Sequence, residues 1–187
     1  MTELFEPLVL PNGCVLKNRF CKAAMEENLA DQGQLPGKKL RELYRQWASG
    51  GVGLILTGNV MIAPNALTGP GGVVLDKSQP LTPFKQWAEA AKAGGADVWM
   101  QLNHPGRQVY AAMGEQAFAP SAIGVDIDGF SSLFPTPKAL ADDEILEIIQ
   151  RFADSASLAE KAGFGGCQIH AAHGYFCLLY TSDAADD

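Results

Sequence analysis

Histidine is scarce in this chain, cysteine is sparse and basic residues are outnumbered, and each shortage removes a class of function. The four cysteines, Cys14, Cys21, Cys167 and Cys177, show no C-x-x-C spacing. Neither a metal knuckle nor a disulfide scaffold is therefore expected, and the thiols read as buried or incidental. Lysine and arginine number 14 against 21 acidic residues, for a formal net charge of −7. That balance repels a phosphate backbone, and with no basic stripe visible nucleic acid is excluded as a partner. Long apolar runs are missing too. The longest weakly polar segment, GVGLILTGNVMIAP, is interrupted by glycine, threonine and asparagine and falls short of the roughly 18–20 apolar residues that a membrane span needs. The N-terminal MTELFEPLVLPNG carries Glu3 and Glu6 where a secretory signal needs basic residues and then an unbroken apolar stretch, so a cytoplasmic protein is expected. What remains, at 187 residues and 47% hydrophobic content, is long enough to bury one sizeable core.

The order of periodic segments indicates the architecture. Asn12-Gly13 between LVL and CVL predicts a short hairpin. NRFCKAAM reads as a strand, and LPGKKLRELYRQWASGG as a helix with Leu40, Leu43, Tyr44 and Trp47 at helical spacing and Gly50-Gly51 as its stop. VGLILTGNVMI has the nearly unbroken apolar character of a parallel strand covered on both faces. PLTPFKQWAEAAKAGGA gives a second helix, with Pro83 in its first turn and Gly94-Gly95 closing it, and DVWMQLN a third strand. From His104 to Pro137 prolines and glycines accumulate without a sustained period, a loop long enough to be functional, part-structured or both. LADDEILEIIQRFADSASLAEKAGFGG is the clearest helix: Asp142 or Asp143 is the expected cap, Gly163 the end, and Ile145, Ile148, Ile149, Phe152, Ala156 and Ala159 the apolar face. CQIHAAHG supplies the last strand.

Strands alternating with helices call for a parallel sheet, either open and doubly wound or closed as a (β/α)8 barrel. The first strand runs into KAAMEENLAD without a G-x-G-x-x-G, which argues against the dinucleotide-binding open sheet. Polar residues gather where strands run out, as in the barrel. They are Met25-Glu26 after the first strand, Gly58-Asn59 in the second, Gln101 and Asn103 in the third, and His170, His173 and Tyr175 after the fourth.

Two of the three histidines lie in CQIHAAHGYF. With His170 at a strand end and a turn following, both imidazoles face one cavity and offer N–H donors to a carbonyl, nitro or phenolate oxygen, with Tyr175 as a general acid. A zinc site is disfavoured, because H-x-x-H here lacks the glutamate and helical placement of H-E-x-x-H and has no third ligand near in sequence. Gln101 and Asn103 alternate on one strand and place two amides on one side. They are expected either to pair with a heteroaromatic ring or to form a polar layer inside the barrel.

LKNRFCKAAMEE, GGVGLILTGNV, QLNHPGRQ and above all IHAAHGY resemble, in order and spacing, the N-terminal half of the Old Yellow Enzyme family of flavin oxidoreductases, from about Phe5 to Tyr175. The resemblance implies an FMN lying across the C-terminal mouth of a (β/α)8 barrel, reduced by NAD(P)H and passing hydride to the β-carbon of an activated alkene. It implies that Ala23, Ala24 and Met25 line the flavin with backbone contacts, that Asn59 is the flavin contact of the second strand and that Gln101 binds the pyrimidine edge. His170 and His173 would hold the substrate oxygen, His170 also bordering the cofactor, and Tyr175 would protonate the α-carbon. Glu26 falls beside the flavin where many relatives carry threonine or cysteine. It reads either as a carboxylate that tunes the flavin or as a solvated loop acid.

Residues 1–175 are thus expected to form the first four strand-helix units of a truncated barrel domain, and 176–187 a non-native tail. A half-barrel exposes two strand edges and invites self-association into a homo-oligomer. Two alternatives accompany this reading: a catalytically inactive half-barrel fragment, and a dienoyl-CoA reductase or amine dehydrogenase relative whose iron–sulfur ligands lie downstream.

Overall fold

Four parallel strands and the helices between them follow the expected alternation in the computed structural model, which describes residues 2–181. The main sheet strands are β1 (Cys21–Lys22), β2 (Leu54–Met61), β3 (Asp97–Asn103) and β4 (Gly166–Ile169), and a fifth, two-residue strand, Val73–Val74, pairs parallel with Val60 and Met61 of β2. The main strands are hydrogen-bonded in the order β4-β3-β2-β1, every neighbouring pair parallel. The helices α1 (Lys38–Ser49), α2 (Leu81–Lys92) and α3 (Asp142–Lys161) connect them, and α4 (Phe176–Thr181) follows β4. The Asn12-Gly13 hairpin forms as expected, with Leu8–Val9 antiparallel to Val15–Leu16.

The helices cover one face. Leu40 and Tyr44 of α1, Phe84 and Trp87 of α2, and Ile148 and Phe152 of α3 share one core with Ile55, Val60, Val98, Met100 and Leu102 of the sheet. Aromatic edges link the layers: Tyr44 meets Trp87 with ring centroids 5.0 Å apart at 86°, and Trp87 meets Phe164 at 5.6 Å and 80°. Such T-shaped contacts set the positive ring edge against a negative face. The other face of the sheet carries the alternate side chains, among them Gln101 and Gln168, and is partly open to solvent.

Several local features differ from the sequence reading. The strand expected over NRFCKAAM contracts to Cys21–Lys22, because it has a ladder partner, β2, on one side only among the described residues. The N-cap of α3 is Ala141 and neither Asp142 nor Asp143, although the Asp143 carboxylate accepts the Glu144 N–H of the first turn at 3.1 Å. Glu144 serves instead, accepting the Ala141 N–H at 2.9 Å. Ile149 is 55% exposed and Ser155 is fully buried, so the packed stripe of α3 is rotated from the expected one; the Ser155 hydroxyl donates to Leu75 O at 2.6 Å and so satisfies its burial. The loop from His104 to Pro137 is part-structured, with two short 3-10 turns and a parallel pair joining Phe118–Ala119 to Lys138–Ala139. Phe176 and Leu179 of α4 are buried, and the last six residues of the expected tail, 182–187, lie outside the described residues.

Candidate functional site

β4 ends at Ile169, and the His170 N–H extends its ladder by one bond, to Leu102 O at 2.9 Å. The chain then turns sharply. His173 and Gly174 both have positive φ, 58° and 71°, and the Tyr175 N–H bonds back to Ala172 O at 3.1 Å. A left-handed histidine is strained relative to glycine, and the turn is held in place by the Gln108 amide, which donates to His173 O at 2.6 Å. As a result three side chains separated in sequence converge. The rings of His170 and His173 are 5.2 Å apart, His170 and Tyr175 4.7 Å at 90°, and His173 and Tyr175 6.4 Å.

These rings border a cleft of about 470 Å³ at the C-terminal ends of the strands, lined also by Ala24, Met25, Glu26, Asn59, Gln101 and Gln168. Of the nine residues for which the family resemblance implied a catalytic or cofactor-binding place, Ala23 lies outside this lining, and the other eight share it. Met25 is 64% exposed and presents an apolar surface toward the opening. The Gln101 amide donates to Gln168 Oε1 at 2.7 Å across β3 and β4. Asn59 donates to the Thr68 hydroxyl at 3.3 Å, and Thr68 in turn donates to the Glu26 carboxylate. Glu26 thus borders the cleft, held by Thr68 while its residue remains exposed to solvent. Asn103, expected beside Gln101, does not line the cleft; it is fully buried, and neither side-chain polar atom has a protein partner.

Electrostatics set the protonation states. Desolvation, then the neighbouring His173, lowers the pKa of His170, so the imidazole is neutral at pH 7. Desolvation, then Glu26 and Tyr110, raises that of Tyr175, which keeps the phenol protonated. The third histidine takes no part. His104 is buried, packs against Phe176 at 4.9 Å and accepts the Gly106 N–H through Nδ1 at 3.1 Å.

Sequence reasoning missed Gln168, Thr68 and Glu27. Gln168 had a signal, since it stands two residues before His170 on the same strand and so shares its side. Thr68 lies in the loop after β2 and reaches the site only through the fold. A second cavity, about 570 Å³, lies behind the sheet between Ile62, Asp76 and Arg151. It is flanked by the Lys77–Asp154 ion pair at 2.7 Å, and its lining holds no histidine or tyrosine.

Comparison with known proteins places this geometry. The sequence model of the NADH:flavin oxidoreductase / NADH oxidase family matches residues 3–186. The NADH-dependent flavin oxidoreductase iliE of Hypocrea jecorina (strain QM6a) is 36% identical over 185 residues, covering 90% of this chain and 46% of that protein. Among solved structures, the old yellow enzyme homologue from Zymomonas mobilis superposes with a TM-score of 0.86 at 30% identity, over 97% of this chain and 52% of its own. Morphinone reductase in complex with tetrahydroNAD superposes with a TM-score of 0.84 at 29% identity, over 96% and 52%. The chain spans about half the length, or less, of the relatives it matches, and its sheet corresponds to half of their barrel.

Proposed function

Because the chain belongs to the NADH:flavin oxidoreductase / NADH oxidase family, we propose that this cleft is the cofactor and substrate site of an FMN-dependent oxidoreductase. It takes hydride from NAD(P)H and delivers it to the C=C bond of activated alkenes, enones and nitroalkenes. The observation that carries this reading is the convergence of His170, His173 and Tyr175 beside the amide of Gln101.

The residues fit FMN. Gln101 and Gln168 already exchange a hydrogen bond across adjacent strands, so the edge of a heteroaromatic ring with alternating donors and acceptors replaces one amide partner by another and leaves no polar group bare. Asn59 faces the same space from β2, His170 borders it, and Ala24 and Met25 run along it as backbone and apolar contacts, with Ala23 outside the lining. The chemistry supplied by bound FMN is hydride transfer from the nicotinamide to the β-carbon of the alkene.

The remaining steps fall to side chains. His170 and His173 donate N–H bonds to the carbonyl or nitro oxygen and strengthen as negative charge grows on it. His170 does so as a neutral ring, since burial and His173 depress its pKa. Tyr175 carries the proton to the α-carbon from its phenol oxygen. The raised pKa, to which Glu26 contributes after desolvation, keeps that proton in place at neutral pH.

The test is a titration of the purified chain with FMN, followed by quenching of flavin fluorescence. Saturable binding, weakened about tenfold by Gln101→Ala as expected for one lost buried hydrogen bond, supports the reading. A colourless chain with no saturable quenching refutes it and favours an inactive half-barrel, a second reading motivated by the unpaired outer edges of β1 and β4 among the described residues.

A further inference from the structure

The register of β2 against β3 slips by one residue within the site. Leu54, Ile55 and Leu56 pair with Asp97, Val98 and Trp99, but the next pair is Asn59 with Gln101. Thr57 and Gly58 therefore stand opposite Met100 alone, which is a β-bulge. Side chains of a regular strand alternate between faces. Ile55 and Val60, five apart, would point to opposite faces, yet both pack in the helix-side core. The bulge reverses the alternation between them, and this reversal sends Asn59 to the cleft; an unbulged strand would turn it toward the helices.

A bulge leaves backbone groups outside the ladder, and buried ones must find other partners. Thr57 is fully buried, and its hydroxyl oxygen takes the place of a main-chain acceptor for the Gln101 N–H at 2.9 Å. The Gly58 N–H goes to a side chain from a different element, Glu27 Oε1 at 3.0 Å, and also to the Tyr44 hydroxyl oxygen at 3.1 Å. Tyr44 donates its own proton to Glu27. Lys22 completes the cluster, 3.7 Å from Glu27 and donating to Leu56 O at 3.1 Å, with its ammonium 4.3 Å from the Trp47 ring centroid. A β-carbon at position 58 would collide with the Met25 backbone oxygen as well as with the Glu27 carboxylate, so glycine is required there.

We propose that Glu27 is a positioning residue of the site: held by Lys22 and Tyr44, its carboxylate caps the β2 bulge and thereby holds the Asn59 amide in the cleft next to Gln101. This extends the flavin reading above, on which only its affinity arm rests. Glu27 itself lies outside the cleft lining and acts through Gly58.

The experiment compares the 187-residue chain with Glu27→Ala, Glu27→Gln and Ser155→Ala. Ser155 is a buried hydroxyl away from the cleft, so its loss lowers stability without touching the bulge. Amide exchange at Gly58 and the Asn59 carboxamide resonances are read by NMR without flavin, and FMN affinity by fluorescence quenching. Glu27→Ala is expected to speed Gly58 exchange by about tenfold or more, to shift the Asn59 resonances and to weaken FMN binding by about tenfold, the scale of one lost charge-assisted bond. Glu27→Gln, which keeps an acceptor oxygen, recovers most of this, and Ser155→Ala melts earlier with all three readouts unmoved. Unchanged Gly58 exchange and Asn59 resonances in Glu27→Ala, or equal changes in Ser155→Ala, overturn the proposal. Should Glu27→Ala fail to fold, Glu27→Asp decides: its shorter side chain keeps the charge but withdraws the carboxylate from Gly58, so faster Gly58 exchange and shifted Asn59 resonances are expected, and wild-type values for both overturn the proposal. A wild-type chain that binds no FMN removes the flavin reading, while the Gly58 and Asn59 signals still judge Glu27.

Discussion

Burial holds the His104 imidazole neutral, with its pKa lowered to about 3 and Arg151 adding to the effect. Its Nδ1 accepts the Gly106 N–H, so the proton of the neutral ring sits on Nε2. In the unfolded chain the ring titrates at its ordinary 6.5. Above pH 6.5 both states are neutral and the stability is complete; as pH falls from 6.5 toward about 3 the unfolded state alone gains a proton and stability is lost. The slope approaches ~1.4 kcal/mol per pH unit for one such group. Urea unfolding of wild type and His104→Gln across this window should show a shallower acid slope in the variant, and parallel slopes would remove His104 as the cause. Tyr175 gives the converse test. With NADH and cyclohexenone as substrates, Tyr175→Phe should lower turnover by about 10²-fold or more if the phenol is the acid while leaving FMN affinity within about twofold of wild type. An unchanged rate would transfer the proton to another donor.

Among the elements, α2 contributes most to the packed face through Trp87, which is fully buried and touches rings of both α1 and the segment after α3. Its indole Nε1 has no partner among the described residues. Trp87→Ala should cost about 3–5 kcal/mol in urea unfolding. Trp87→Phe should cost well under half of that, since it keeps an aromatic edge and discards an unpaired donor. Equal losses in the two variants would show that the N–H, and not the ring, holds the helix. The elements also mark where sequence reading stops. Helical periods in α1, α2 and α3 were legible because each buries a continuous stripe. The bulge in β2 was not, because LILTGNVM reads as apolar whichever way Asn59 points, and only pairing with β3 reveals the slipped register.

At the scale of the whole molecule, one face of the sheet is covered by three helices, and the outer edges of β1 and β4 are unpaired among the described residues. Ile169 at the β4 edge is 48% exposed, and Leu146 and Ile149 of α3 are exposed as well. Unpaired parallel edges beside apolar surface favour association, which the net charge of −7 opposes only at low ionic strength. Light scattering should therefore show a mass that rises with protein concentration and with salt. Ile169→Lys, which places a charge on the edge, should bring it back toward the monomer; a monomeric wild type at all concentrations would show that the edges are inert.

Taken alone, the sequence determined the alternation of strands and helices, the parallel sheet and the cluster of His170, His173 and Tyr175, because periodicity and short spacings are local properties of the chain. The cleft's other wall was decided by tertiary structure alone. Glu26 meets Thr68 across 42 positions, Gln101 meets Gln168 across 67, and Glu27 meets Gly58 across 31. No local pattern encodes such contacts: they exist only once parallel strands are brought into register, and a slip of one residue in that register turns every side chain beyond it to the other face.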